Sequence, residues 1–411
     1  MRLGVLLDRF DPARGGAEAH TGALLRRAAE RGLAPLLATL EGSPPPGVTR
    51  VAVGRARGTR VRRDRAFALD GVKALRGAGA DRVLAVRHAL SCDVYLPHGG
   101  LVADAFAARD AARGGVTGLT TLLRRLSGKR RFFEDAERAL LDDPKGPVVI
   151  ALSNALARRI VRRHPAAKGR VKVIPNGVDV ERFDPAPFAA GRIETRRALG
   201  VPTDAYVGVL VAHEPWLKGY GTLLKALARP ELAALSPAFH LVVAGRRAGR
   251  DLRRAAASLG VAARVHLVGP VADVRPLLAA ADVLCQASYY DPCSLTSLEA
   301  LAMGVPVITT TRNGVTELMA MRGGIPIEDP DDAEGFAKAI EILAEPLLRR
   351  QTSEDARFVA RKNRSTTRLD QVIDACAAAG LAPTPPPGSG RTSPAFVDDL
   401  PAADPCLETG A

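Results

Sequence analysis

A chain of 411 residues, 47% of them hydrophobic, has enough apolar surface for two or three separately packed domains. Its formal charge of +14 comes mainly from arginines scattered among Ala, Gly and Pro, and with 4% aromatic residues it has few stacking platforms, so a nucleic-acid partner is excluded. The five cysteines, Cys92, Cys285, Cys293, Cys376 and Cys406, form no Cys-x-x-Cys or Cys/His cluster, which excludes a disulfide framework and a zinc site.

The chain opens on MRLGVLLDRF, an apolar run cut by Asp8 and too short for a signal peptide. No later run reaches about 18 apolar residues, so no membrane span is predicted and a cytoplasmic location is expected. Short runs rich in Val, Leu and Ile then alternate with Ala/Arg/Leu helical patterns: RLGVLL before a helix from Ala17, RVLAV, and PVVIALS before a helix over 154–163. RVKVIP, YVGVLVA, FHLVVAG, RVHLVG, DVLCQAS and VPVITT follow. This alternation predicts parallel sheets covered by helices, with too many strands for one ordinary sheet. The strands divide at VIPNGVDVERFDPAPFAAGR, residues 173–192, a turn-rich stretch without helical period that reads as a linker. The predicted architecture is α/β: two Rossmann-like doubly wound domains, 1–178 and 179–360, facing a central cleft. A C-terminal helix over 361–382 is expected to return to the first domain. Residues 383–411, rich in Pro, Gly, Ser and Asp, read as a disordered tail.

Two further segments carry chemistry. In GVTGLTTLLRRLSGKRR, 115–131, Val116, Leu119, Leu122, Leu123 and Leu126 fall at helical spacing, and Arg124, Arg125, Lys129, Arg130 and Arg131 crowd the C-terminal end. That is either an ordinary packed helix or a peripheral contact with anionic membrane lipid. In YYDPCSLTSLEALAMGVPVITTT, 289–311, Asp291 and Pro292 look like N-cap and N1 of a helix that starts at the cleft. Its first amides and positive dipole end would attract a phosphate. Asp291 and Glu299, eight residues apart, would then flank a diphosphate and accept hydrogen bonds from hydroxyls on either side, as a nucleotide-sugar requires. The alternative is structural: Asp291 only caps, and Thr296-x-x-Glu299 is a capping box. Cys293 reads as a small buried residue, and Asp329-Pro-Asp331 as a turn before a helix rather than a metal site.

The stretch resembles the E-x7-E segment of the retaining family 4 glycosyltransferases. Further segments resemble that family in the same order: ARGGAEAH, IALS, VIPNGVDVERF, LKGYGTLLKAL, LVVAG, RVHLVG, VADVRPLLAAADVLCQAS, LEALAMGVPVI and NGVTEL. The resemblance covers residues 1–320, and YLPHGG with the basic stretch after it is similar to the lipopolysaccharide core glucosyltransferase branch. It implies a GT-B fold binding a nucleoside diphosphate sugar as donor, with no cofactor and no metal, and a glycan or glycolipid acceptor. Glu299 would then hold the ribose, and Asp291 would contact the donor sugar. Ser294, Leu295 and Thr296 would offer amides to the distal phosphate, Lys218 would neutralise the leaving diphosphate, and Gly15 and Gly16 would form the turn through which the first domain approaches it. His98 would stand beside the acceptor hydroxyl. Two departures qualify the match: Asp291 is one methylene shorter than the family's Glu, and the basic residue expected several positions before Lys218 is absent, with His213 or Trp216 in that zone and Arg246 as the candidate substitute. A GT-B sugar-nucleotide epimerase and a catalytically degenerate binding protein are the alternatives. A Rossmann oxidoreductase fits poorly because no G-x-G-x-x-G follows the first strand.

Overall fold

The computed structural model describes residues 1–11, 15–87, 89–114, 127–245 and 249–380. Two parallel sheets organise them. The first has strand order β3-β2-β1-β4-β5-β6-β7, from β1 (Leu3–Leu6), β2 (Leu36–Ala38), β3 (Thr49–Val51), β4 (Arg82–Ala85), β5 (Val94–Tyr95), β6 (Val148–Ala151) and β7 (Val171–Val173). The second has order β10-β9-β8-β11-β12-β13, from β8 (Tyr206–Val211), β9 (Phe239–Ala244), β10 (Val265–Gly269), β11 (Val283–Gln286), β12 (Val307–Thr310) and β13 (Gly324–Ile327). Helices cover both sheets, which is why central strands such as β1 and β11 are buried at every residue while the edges β3, β10 and β13 are partly open. Chain order reverses between β1 and β4 in one sheet and between β8 and β11 in the other. Such reversals open a crevice beyond the carboxyl ends of the strands, and loops from those four strands carry most of the candidate site.

The chain crosses between the domains twice, and the crossings are tied together: Val178 N donates to Asn363 O at 2.9 Å and Ser365 N to Val178 O at 2.8 Å. After the second crossing the Ser365–Ala378 helix lies on the Gly16–Glu30 helix and β4 of the first domain, burying Leu369, Val372, Ile373 and Cys376. Arg27 clasps the Asp370 carboxylate with Nε at 2.9 Å and Nη2 at 2.8 Å. Residues 383–411 lie outside the described residues.

The basic segment differs from expectation. Residues 115–126 lie outside the described residues, and Lys129, Arg130 and Arg131 stand in the first turn of the Gly128–Leu141 helix, not at a C-terminal end. Cations there oppose the helix dipole, so two of them find local partners. Arg130 pairs with Glu134 at 2.8 Å and lies over the Phe106 ring, and Lys129 lies 5.4 Å from the Phe133 ring centroid. Arg131 is the exposed member of the three. Among the described residues no helix is long and apolar enough to cross a membrane.

Candidate active site

The turn after β11 is built by a buried polar cluster. The helix runs from Leu295 to Ala302 with Ser294, not Asp291, as its N-cap: Ser294 Oγ accepts from Ser297 N at 3.2 Å. The predicted cap is displaced because Asp291 is held in a parallel bridge with Asn313, where its Oδ1 accepts from Cys293 N at 3.1 Å. The Thr296-x-x-Glu299 capping box does not form either; Thr296 is the second helical residue and Glu299 the fifth. Gln286 at the end of β11 accepts from Ser294 Oγ at 3.1 Å and Ser297 Oγ at 3.0 Å, and Asn313 Oδ1 accepts from Ser294 N at 3.1 Å. Ser294 N is therefore occupied. Among the described residues, the amides of Leu295 and Thr296 have no acceptor and face the start of the helix, where the dipole favours an anion. Burial pushes the Cys293 thiol up to about 12, so it behaves as a small apolar group.

Lys218 reaches this turn from the loop after β8, and its Nζ forms an ion pair with Asp291 Oδ2. Gly219 makes that placement possible. It has φ +77°, and a Cβ there would lie 2.2 Å from Ala287 O. We expect Gly219→Ala to cost about 2–4 kcal/mol, combining left-handed strain with a backbone collision; a melting curve within about 1 kcal/mol of wild type would contradict this close approach.

Glu299 lies one helical turn beyond the free amides. The predicted spacing of eight helical residues between the two acids is thus replaced by a bridge, a turn and one turn of helix. Glu299 is half-buried, and its carboxyl has no hydrogen-bond partner among the described residues. Burial lifts its carboxyl to about 7, against the opposing pull of Arg182, while Asp273 adds to the rise. This is a carboxylate that gains when a hydroxyl-bearing group donates to it.

The first domain closes on the same point. A Cβ on Gly16, first residue of the Gly16–Glu30 helix, would stand 2.9 Å from Leu295 Cδ1, so two helix starts meet across the cleft. Gly16 thus makes room for Leu295. Gly15 is extended, with φ 178°, in a conformation open to any residue, and a Cβ there would lie 3.7 Å from the His213 ring. His98, on the loop after β5, lies against His20 with ring centroids 5.2 Å apart. The Nε2 atoms of both are buried without a hydrogen-bond partner among the described residues. Burial, aided by Arg87, lowers His98 to about 4, and burial with His98 nearby lowers His20 to about 3, so both rings are neutral at pH 7. Arg246 lies outside the described residues.

Further side chains, given no role in the sequence, fix the domains on each other. Asn176 Nδ2 donates to Cys293 O at 2.7 Å, and Tyr290 Oη accepts from Leu101 N at 2.9 Å. Glu317 caps the Asn154–Arg163 helix from the other domain, accepting from Asn154 N at 2.7 Å and Ala155 N at 2.8 Å. Arg109 and Glu214 pair at 2.9 Å. Asn176 and Glu317 stand within the NGVDVERF and NGVTEL segments, so their signal was present without a geometry to interpret it.

The similarities to known proteins meet this geometry directly. Residues 14–182 match the model of Glycosyltransferase Family 4, and residues 202–345 match that of Glycosyl transferases group 1. Both halves of the chain thus match glycosyltransferase domains, in a GT-B fold. Over 161 residues this GT-B chain is 37% identical to the lipopolysaccharide core biosynthesis glycosyltransferase LpsE of Rhizobium meliloti (strain 1021), an alignment covering 39% of this chain and 46% of LpsE. Over 222 residues it is 32% identical to the D-inositol 3-phosphate glycosyltransferase of Salinispora arenicola (strain CNS-205), covering 51% and 50%. The chain thus spans about half the length of these relatives. The GT-B fold is shared with WaaG, a glycosyltransferase involved in lipopolysaccharide biosynthesis, at TM-score 0.77 and 23% identity over 91% of this chain and 99% of that one. It is also shared with Anabaena HepE in complex with UDP-glucose, at TM-score 0.65 and 18% identity over 92% and 100%.

Proposed function

We propose that this protein is a retaining, metal-independent hexosyltransferase that moves a sugar from a nucleoside diphosphate donor to a cell-envelope glycan or glycolipid, acting in the cytoplasm. One observation carries the reading: the Lys218–Asp291 pair, the free Leu295 and Thr296 amides and the unpartnered Glu299 converge beyond the carboxyl ends of β8 and β11, with Gly16 of the other domain against them.

The donor diphosphate would lie on the Leu295 and Thr296 amides, where the helix dipole supplies partial positive charge. Glu299 would accept from the ribose hydroxyls. Lys218 would turn from Asp291 to the distal phosphate and follow its charge as the sugar bond breaks. Asp291, released from the lysine, would accept from hydroxyls of the sugar. A neutral His98 can exchange one hydrogen bond with a hydroxyl at the reacting centre without competing for the phosphate. Lysine and helix thereby supply the positive charge that other transferases take from a divalent ion.

The resemblance to LpsE supports a lipopolysaccharide core acceptor, and the HepE complex supports UDP-glucose as the first donor to test. The test incubates purified protein with UDP-, GDP- and ADP-sugars, with and without core acceptor, in EDTA or magnesium. Acceptor-dependent release of one nucleoside diphosphate at equal rates in both media is expected, with product NMR showing the donor's anomeric configuration kept. Strict magnesium dependence would reject the metal-free mechanism, and donor conversion without acceptor would favour an epimerase.

Asp291→Asn keeps the side chain's hydrogen bond to Cys293 N but removes its charge. Activity is expected to fall about tenfold or more with the melting temperature within a few degrees of wild type. Full activity would reduce Asp291 to a turn residue.

A further inference from the structure

A cavity opens between the domains, lined by none of the candidate-site residues. It encloses about 410 Å³ between the Val102–Ala111 and Asn154–Arg163 helices of the first domain and Tyr289, Tyr290 and Arg312 of the second. Four guanidinium groups line it: Arg159, Arg162, Arg163 and Arg312. The single carboxylate, Asp104, is 8% exposed. It pairs with Arg163 at 2.6 Å and Arg159 at 3.5 Å, yet its Oδ2 is buried without a hydrogen-bond donor among the described residues. Arg159 is further held 5.8 Å from the Tyr290 ring centroid. Asp104 thus orients two of the arginines. Arg162 and Arg312 are exposed, belong to opposite domains, and have no ion-pair partner among the described residues.

An excess of three positive charges gathered at one domain interface favours the entry of an anion. Arginine forks match phosphate oxygens two at a time, which a neutral glycan cannot exploit. The volume suits one sugar phosphate rather than a polymer. The donor diphosphate already has its own place at Lys218 and the Leu295–Ala302 helix, and Tyr290 precedes Asp291 directly, so a ligand in the groove lies beside the transfer point.

We propose that this groove binds a phosphate group carried by the acceptor, held between Arg162 of the first domain and Arg312 of the second; this rests on the glycosyltransferase reading above. The phosphate is borne either by the glycan or by its lipid.

The full chain is titrated calorimetrically with glucose 6-phosphate and with glucose at fixed ionic strength, with UDP present to fill the diphosphate site. Glucose 6-phosphate is expected to bind at least tenfold more tightly than glucose, and the Arg162→Ser/Arg312→Ser double variant to lose at least tenfold of that affinity. Both side chains are exposed, and an unchanged melting curve checks that the variant is folded. Competition by dihexanoyl phosphatidic acid, below its micelle concentration, assigns the phosphate to a lipid; its absence, with glucose 6-phosphate still bound, assigns it to the glycan. Equal affinity for glucose and glucose 6-phosphate, or unchanged affinity in the double variant, overturns the proposal. A separate UDP titration keeps the two readings apart: UDP bound with no phosphate preference overturns the groove alone, whereas phosphate bound with no UDP affinity supports the groove and overturns the donor site.

Discussion

Lys218→Ala is expected to lower turnover about 10²–10³-fold while nucleoside diphosphate affinity falls less than about tenfold. The asymmetry follows from timing. Before reaction Lys218 already has a carboxylate partner, Asp291, so exchanging it for a phosphate gains little in the ground state. As the sugar bond breaks, negative charge grows on the distal phosphate, and a fixed ammonium beside it stabilises that state most. Removing the lysine also leaves Asp291 half-buried and alone, which costs stability of its own. The Lys218→Ala/Asp291→Asn double variant separates the effects: stability should return toward wild type while turnover stays low. A loss of affinity as large as the loss of turnover would make Lys218 a binding residue only.

Glu299→Gln is expected to weaken nucleoside diphosphate binding by about 1–3 kcal/mol, the range for a lost charged hydrogen bond, and at the same time to raise the melting temperature. The stability gain comes from the lifted pKa. In the folded chain the carboxyl titrates at about 7 rather than its ordinary 4.5, so folding is penalised progressively as pH rises from 4.5 and fully above 7. Glutamine removes that penalty, by about 1–2 kcal/mol once partial solvent contact is allowed for, and the gain should vanish below about pH 4.5. Wild-type nucleotide affinity should rise between about pH 6 and 8 as Glu299 ionises, and the variant should lose that slope. Unchanged affinity with reduced stability would make Glu299 a structural helix residue.

Much of the fold is legible in the sequence because central parallel strands are buried on both faces and read as continuous apolar runs. Nine of the strands stand out as apolar runs, the edge strands β7 and β10 among them. β2, β3, β5 and β13 do not: they are two to four residues long, β13 contains Pro326, and only β1 or another central strand reveals them as sheet. In the candidate site the sequence singles out Lys218 and Asp291 but shows neither their pairing nor the local cap. Asp-Pro is a sound helix start on local chemistry, and what displaces it is a tertiary cluster, Gln286, Asn313 and Ser294, whose members the chain brings together across 8 and 19 residues. The histidine pair is hidden for the same reason: His20 and His98 stand on different elements, and neither shows its burial in the sequence.

The last described helix bears on how the protein is made. Residues 365–378 cover the first helix and β4 of a domain whose own strands end at Val173. On the ribosome that domain emerges first, but its covering helix follows about 200 residues later, on the order of 10–40 s at ordinary elongation rates. For that interval the apolar surface that will meet Leu369, Val372 and Ile373 stays uncovered, and the whole second domain is synthesised before it can be sealed. A nascent chain stalled near residue 300 therefore carries a nearly complete first domain with one greasy face, a natural client for a chaperone at the exit tunnel.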